Sequence, residues 1–253
     1  MAQPEEQGFL SHLIELRQRL VRAAAAILVV FLALSPFMRQ IFDLFARPMM
    51  EALPPGNRLL ATSVVDLFVV PLKVTMFASL LLALPVVLYQ AWAFVAPGLY
   101  QHEKRLAVPV IGSSALMFYA GIAFCYFVVF KAVFPFLVRI APATVNVSPD
   151  INTYFSDVLR WFIAFGITFE VPIVVLLLVR LGIVSVVRLR QVRPYVIVGA
   201  FVMAAIFTPP DIGSMLLMAL PLCLLFELGM VLAALFGVSK QARSESESGP
   251  AAG

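Results

Sequence analysis

Apolar runs long enough to cross a lipid bilayer restrict the fold of this chain more than any other feature. The run from Trp161 to Val179 is the clearest of them. Its only ionisable side chain is Glu170, and arginines stand at both flanks, Arg160 and Arg180. The hydrocarbon core of a bilayer is about 30 Å thick, and a helix of about 20 apolar residues spans it. The run therefore predicts a transmembrane helix with one carboxylate near its centre.

Further apolar runs follow the same pattern and give six predicted spans. They lie near Ala23 to Phe37, Val74 to Phe94, Leu106 to Phe130, Trp161 to Val179, Tyr195 to Phe207, and Ile212 to Val238. The sequence thus predicts an all-α polytopic membrane protein, with a six-span domain over residues 1–240. The tail over residues 241–253 is rich in Ser, Glu, Gly and Ala, so we expect it to be disordered and cytoplasmic.

Composition favours the same class. Hydrophobic residues make up 62% of the 253, charged residues 13%, and the mean hydropathy is +1.00. Soluble domains carry about 25% charged residues. The net charge of +4 comes from Lys and Arg scattered between apolar runs, with no basic stripe. These observations exclude a water-soluble domain and argue against a nucleic-acid partner.

The cysteines and the N-terminus point to no cofactor and no cleaved leader. Cys125 and Cys223 lie within apolar runs and lack metal-ligand spacing, so we interpret them as small buried hydrophobic residues. Glu5, Glu6 and Glu15 precede the first apolar run, which is unlike a secretory signal peptide. We therefore expect the first span to stay in the mature protein.

The distribution of basic residues predicts the topology. Six spans place both termini on one side, together with the second and fourth connections, and that side holds eleven Lys and Arg residues against seven on the other. The dense run Arg188 to Arg193 lies in one of the short connections, where the positive-inside rule applies best. We predict cytoplasmic termini and two structured external caps, Met38 to Lys73 and Lys131 to Asp157.

The fifth span, Tyr195 to Phe207, has thirteen residues before a Thr-Pro-Pro-Asp turn. At 1.5 Å per residue it covers about 20 Å, less than a bilayer core of about 30 Å. Such a mismatch thins the bilayer or calls for partner helices. The alternative is that the start of the helix lies a few residues earlier. On the first interpretation, the two C-terminal spans are short.

Prolines recur within the predicted spans. They are Pro85, Pro109, Pro172 and Pro221. A proline inside a helix removes a hydrogen bond and bends the helix, although membrane helices tolerate single prolines. The set predicts a bundle of kinked helices with a concave wall.

Two carboxylates fall inside predicted spans. Glu170 lies in the fourth span and Glu227 in the sixth. A charged side chain at the centre of a membrane helix costs about 2.5 to 3.5 kcal/mol on insertion scales, so it is a functional-site hypothesis by default. For each residue, a structural hydrogen bond to another helix is the alternative.

Four segments resemble one known family. They are HLIELRQRL at His12 to Leu20, YQAWAFVAPGLYQHEKRLAVP at Tyr89 to Pro109, FGITFEVP at Phe165 to Pro172, and RPYVIVGAFVMAAIFTPPD at Arg193 to Asp211. With the six spans between them, they resemble the TatC family, the core membrane subunit of the twin-arginine protein translocase. The resemblance covers the chain from about Phe9 to Gly237. It implies a non-enzymatic component that exports folded proteins across the bacterial inner membrane with the proton-motive force.

The resemblance implies a receptor for signal peptides that carry paired arginines, at the cytoplasmic N-terminal region and the first cytoplasmic loop. Glu15 and Glu103 lie at those two places, and carboxylates accept the paired hydrogen bonds of guanidinium groups. Phe94 would supply an apolar wall beside them.

Alternatives stay open for both carboxylates. Glu15 has the i, i+4 spacing for a local pair with Arg19 on one helix face. Glu103 could begin a helix or pair with the adjacent Lys104 and Arg105.

The resemblance also implies a multimeric complex with the single-span subunits TatA and TatB. Their helices would dock at the short fifth span and the start of the sixth, with Val196, Met203, Thr208 and Ser214 as the predicted contacts. Glu170 and Glu227 would keep polar groups inside the membrane. Met215 stands where many relatives carry a polar side chain, which puts the polar contact there in doubt.

The sequence also allows two other classes of function to be compared with a protein translocase. A proton-coupled secondary transporter could use Glu170, but the spans show no internal repeat. An intramembrane hydrolase needs a nucleophile with a partner, or a metal site such as HExxH, and both histidines lie in polar segments.

Overall fold

The computed structural model describes residues 4–95, 107–142, 144–180, 182–207 and 212–237. Over these residues the chain forms eight α-helices. They are α1 (Pro4–Leu34), α2 (Met38–Ala52), α3 (Asp66–Val95), α4 (Ala107–Phe124), α5 (Phe130–Ile140), α6 (Ile151–Arg180), α7 (Val186–Phe207) and α8 (Ile212–Gly237). A 3₁₀ turn, Ser35–Phe37, joins α1 to α2, and a π-helical turn, Cys125–Val129, joins α4 to α5.

Within this described part, six helical segments are long and apolar enough to cross a membrane. They are Leu13–Ala52, Asp66–Phe94, Pro109–Ile140, Ile151–Arg180, Val186–Ile206 and Met218–Leu235. The predicted all-α fold with six spans is confirmed. Several predicted boundaries were wrong, because helices continue past the apolar runs into segments that carry charges. The predicted tail and the Thr-Pro-Pro-Asp turn lie outside the described residues.

The four prolines lie at different positions within their helices. Pro85, Pro172 and Pro221 are inside α3, α6 and α8. Pro109 instead lies in the first turn of α4, where the missing N–H has no intrahelical acceptor. The predicted bend at Pro109 was therefore wrong.

The helices form two compact units. The first comprises residues 1–116 and 130–160. In it α1 packs on α3, and α2 packs on both α3 and α5. Aromatic rings fill its centre: Phe42 lies 4.6 Å from Phe155 between ring centroids, and the Tyr154 hydroxyl donates a 2.9 Å hydrogen bond to the Phe45 carbonyl.

The two connections predicted as structured caps are joined to each other in the first unit. Leu60 and Asp150 form a parallel β-bridge. The Leu60 N–H donates to the Pro149 carbonyl at 2.9 Å, and the Ile151 N–H donates to the Leu60 carbonyl at 2.8 Å. The side-chain amide of Asn57 adds a 3.0 Å bond to the Val147 carbonyl. These bonds place the start of α6 beside the loop that leads into α3.

The second unit comprises residues 117–129 and 161–253. Its apolar cluster brings α6, α7 and α8 together through Val175, Leu189, Phe226, Met230 and Ala233. Glycines allow its helices to approach closely. A Cβ added at Gly229 of α8 would lie 2.8 Å from the Pro172 Cα of α6, so α6 and α8 touch backbone to backbone there.

Candidate functional site

Glu15 already holds a guanidinium group. Its Oε1 atom accepts hydrogen bonds from Arg19 Nε at 3.0 Å and Arg19 Nη2 at 2.5 Å, one helical turn further along α1. The side chains are 35% and 19% exposed, so the pair is partly withdrawn from solvent. The local pair considered from the sequence is thus present. A carboxylate in this setting has the geometry to accept a guanidinium from another molecule.

Phe94 lies near the end of α3, the helix that packs on α1. The chain crosses the membrane between Glu15 and Phe94 once in each direction, so both residues belong to the same end of the helix pair. The indole N–H of Trp92 donates to the buried Ser114 hydroxyl of α4 at 3.1 Å. This bond fixes the end of α3 against α4, on either side of the connection that carries Glu103. Glu103 itself lies outside the described residues.

Glu170 is half-buried in the middle of α6, and its Oε1 atom is inaccessible to solvent. Two residues further along, Pro172 contacts Gly229 of α8. Glu170 therefore lies next to a close approach between α6 and α8.

Glu227 has a partner that sequence reasoning missed. Arg193 of α7 donates from Nη2 to Glu227 Oε2 of α8, and the two side chains are 45% and 44% exposed. The sequence predicts Arg193 in a connection, but α7 begins at Val186 and includes it. The missed signal is spacing: Leu189, Arg193 and Val196 recur every three or four residues and lie on one face of a helix.

The predicted partner-docking residues fall in different surroundings. Val196 is partly buried against the apolar cluster of the second unit, whereas Met203 is exposed. Thr208 and the side chain of Ser214 lie outside the described part of the chain. Val196 therefore faces the apolar cluster and Met203 faces outward. The docking role of the four residues stays a prediction.

Asp150, just before α6, is an acidic residue outside the spans with a displaced pKa. The Thr153 N–H donates to its Oδ1 at 2.9 Å, and the Thr62 hydroxyl donates to its Oδ2 at 2.8 Å. These bonds favour the charged form and lower the pKa of Asp150 to about 2, the backbone bond contributing most. The carboxylate caps α6 and ties it to the loop that leads into α3.

No metal site is present among the residues that the structure describes, since no three His, Cys, Asp or Glu side chains gather there. Cys125 is buried and Cys223 half-buried, both as free thiols. The chemistry available at the site is therefore that of carboxylates, guanidinium groups and apolar walls.

Comparison with known proteins is consistent across sequence and structure. The family described as "Sec-independent protein translocase protein (TatC)" matches residues 11–221. The "Sec-independent protein translocase protein TatC" of Escherichia coli strain K12 is 49% identical over 230 residues, which cover 91% of this chain and 89% of that protein. The protein of the same name from Azotobacter chroococcum mcd 1 is 50% identical over 226 residues, with 89% of each covered.

A solved structure, "Crystal Structure of Twin Arginine Translocase Receptor- TatC", superposes with a TM-score of 0.76 at 36% identity. The match covers 88% of this chain and 98% of the other. A second structure of the receptor "in DDM" gives a TM-score of 0.78 at 35% identity.

Proposed function

The chain belongs to the TatC family of Sec-independent protein translocase proteins, and from that premise we propose that it binds twin-arginine signal peptides through Glu15, Phe94 and Glu103. The family is a non-enzymatic transport family of the bacterial inner membrane, and this chain is its multi-pass component.

The observation that carries the proposal is the guanidinium bound to Glu15. Arg19 occupies the carboxylate with two N–H groups, and an incoming arginine would present the same two donors. Exchange of one guanidinium for another conserves the charge-assisted bonds. The freed Arg19 would return to solvent, where hydrogen bonds to water offset part of the pair that it loses.

Phe94 and Glu103 complete the proposed site by chain topology. Phe94 lies at the same end of the α1 and α3 pair as Glu15, and Glu103 lies in the connection that leaves that end. A peptide with two arginines and a following apolar residue would meet one carboxylate for each arginine. The Phe94 ring would contact the apolar side chain that follows.

The orientation and the partners are part of the same proposal. We place both termini in the cytoplasm, with the peptide site on that face, following the eleven-to-seven excess of basic residues. The exposed face of α7 near Met203 is available to a single-span TatA or TatB helix. The translocase would then work as a multimeric complex in the lipid bilayer, powered by the proton-motive force.

Photocrosslinking of a twin-arginine signal peptide to membranes containing the full chain tests the proposal. We expect Glu103→Ala, Glu103→Gln and Glu15→Gln each to reduce crosslinking by roughly tenfold or more, because a hydrogen bond to a charged group contributes about 1.5 to 3 kcal/mol.

The matched control is Glu51→Gln, which removes the carboxylate of another i, i+4 pair, with Arg47, in α2. That variant should crosslink like wild type. Unchanged crosslinking in the Glu15 and Glu103 variants, at normal membrane levels, would overturn the assignment.

A further inference from the structure

The connection between α6 and α7 carries exposed arginines that the proposed function does not use. Arg180 is the last residue of α6, and Arg188 and Arg190 lie in the first turns of α7. All three side chains are exposed. The three residues belong to one short stretch of chain, so their charges surround one connection between helices.

Helical geometry separates these arginines from Arg193. Leu189, Arg193, Val196 and Ala200 follow each other at intervals of three or four residues, so they share the face of α7 that packs on α8. Arg188 and Arg190 are each displaced by about 100° from Leu189, in opposite directions. They flank the packed face and point away from α8, while Arg193 reaches Glu227.

Among the described residues, the three arginines form no ion pair. Arg193 is neutralised by Glu227, but within the described ranges Arg180, Arg188 and Arg190 have no carboxylate within 4 Å. The sequence between Glu170 and Glu227 contains one acidic residue, Asp211, which follows the opposite end of α7. The positive charge of this segment can attract an anion.

Exposed apolar side chains alternate with these arginines. Ile183 is 58% exposed, Val187 68% and Tyr195 76%. Tyrosine is enriched at the level of lipid headgroups, where its ring meets the acyl region and its hydroxyl meets water. A surface with guanidinium groups and apolar groups side by side matches a ligand that has a phosphate and a hydrocarbon chain.

We propose that Arg180, Arg188 and Arg190 bind the phosphates of anionic phospholipids around the α6–α7 connection, with Arg188 and Arg190 on opposite flanks of α7 and Ile183, Val187 and Tyr195 against the lipid chains. Guanidinium groups bind phosphate oxygens in pairs, and basic side chains beside a membrane helix attract anionic headgroups. The site goes beyond the proposed peptide receptor and does not depend on it. It would hold the α6–α7 connection at the membrane surface.

Native mass spectrometry of the purified full chain in non-ionic detergent tests the site. Dioleoyl-phosphatidylglycerol is titrated against the wild type, and dioleoyl-phosphatidylcholine serves as the zwitterionic comparison. We expect R180Q/R188Q/R190Q to weaken phosphatidylglycerol binding by about fivefold for each arginine removed. R180K/R188K/R190K should retain most of the binding, because the charges remain. Phosphatidylcholine binding should not change.

The matched control is R39Q/R58Q/R139Q, which removes three exposed arginines spread over α2, the following loop and α5. Its loss of phosphatidylglycerol binding should be much smaller. Equal losses in the two triple variants, or wild-type binding by R180Q/R188Q/R190Q, would overturn the proposal. Full competition by glycerol phosphate would also overturn it, because the site would then bind a free phosphate rather than a lipid. Circular dichroism and the melting temperature check that each variant is folded.

Discussion

Arg193 of α7 and Glu227 of α8 form an ion pair between two helices that are each long and apolar enough to cross a membrane. The pair continues the packed face that Leu189 and Val196 begin, and both side chains remain close to half exposed. A charge that would be costly alone in the membrane is thus matched by its opposite on the neighbouring helix. The pair and the apolar cluster together hold α7 on α8.

Breaking this pair should loosen the α7–α8 hairpin. We expect Arg193→Gln and Glu227→Gln each to cost about 1 kcal/mol after allowance for partial exposure, which lowers the melting temperature by about 2 to 4 °C. The reversed pair, R193E/E227R, should recover most of the loss. Melting of the detergent-solubilised protein measures this. A reversed pair as unstable as the sum of both single variants would show that the two residues do not interact.

Gly229 should not tolerate a side chain. An added methyl group would lie 2.8 Å from the Pro172 Cα and 3.2 Å from the Val175 Cβ, so Gly229→Ala should destabilise the protein by about 1 to 3 kcal/mol. Gly199→Ala is the matched control, because nothing lies within 4 Å of a Cβ there. The control should be neutral or stabilising by up to about 1 kcal/mol, since alanine favours helix. Equal melting temperatures for the two variants would contradict the close approach of α6 and α8.

Asp150 should make stability depend on pH only in strong acid. Its pKa of about 2 lies below the ordinary value of 3.8, so the folded state binds the proton less tightly than the unfolded state. The stabilisation is complete above the unfolded pKa and is lost as pH falls through about 2. Asp150→Asn keeps a capping oxygen without the charge. We expect the melting temperatures of wild type and variant to differ by a constant amount above about pH 4 and to converge toward pH 2. A difference that grows as pH falls would contradict a lowered pKa of Asp150 in the folded state.

Glu170 is expected to keep a polar surface inside the membrane for partner helices. Glu170→Gln should therefore retain much of the transport of a twin-arginine precursor into membrane vesicles, while Glu170→Leu should lose it. Binding of the signal peptide should survive both changes. Loss of peptide binding in the Leu variant, with insertion intact, would instead tie Glu170 to the receptor site. Equal transport by the Leu variant and wild type would remove its functional role.

The proposed topology predicts labelling from opposite sides. In a background where Cys125 and Cys223 are replaced by Ala, cysteines at Thr144 and Ser185 should react with an impermeant maleimide. The residue at position 144 should label in intact cells, and that at position 185 only after the membrane is opened. Both positions are exposed outside the helices, so access to the reagent depends on sidedness. Labelling of both in intact cells would contradict the orientation.

The sequence predicted those parts of the molecule that depend on local composition. Six spans follow from apolar length, and the Glu15–Arg19 pair follows from i, i+4 spacing. The start of α7 was wrong because Arg188 and Arg190 gave it the composition of a loop. Packing of Leu189 in the apolar cluster, and a 3.2 Å bond from the Arg188 N–H to the Ser185 hydroxyl, stabilise helix there.

Relationships between distant residues could not be predicted. Arg193 and Glu227 are 34 positions apart, and their contact depends on how α7 lies on α8. The bridge between Leu60 and Asp150 likewise joins two connections that no local pattern relates. Composition determines which segments enter the membrane, whereas tertiary packing determines which polar groups meet.

The bridge between Leu60 and Asp150 also imposes an order on biosynthesis. Asn57 and Val147, which bond beside it, are separated by 90 residues. At about 5 to 20 residues per second, a ribosome needs several seconds to reach the segment around Asp150 after it has made the segment around Leu60. During that interval α3 and α4 have been made, but the loop before α3 lacks its partner. The first unit can close only after the segment leading into α6 has emerged, so a nascent chain truncated before Asp150 should remain open to proteases at Leu60.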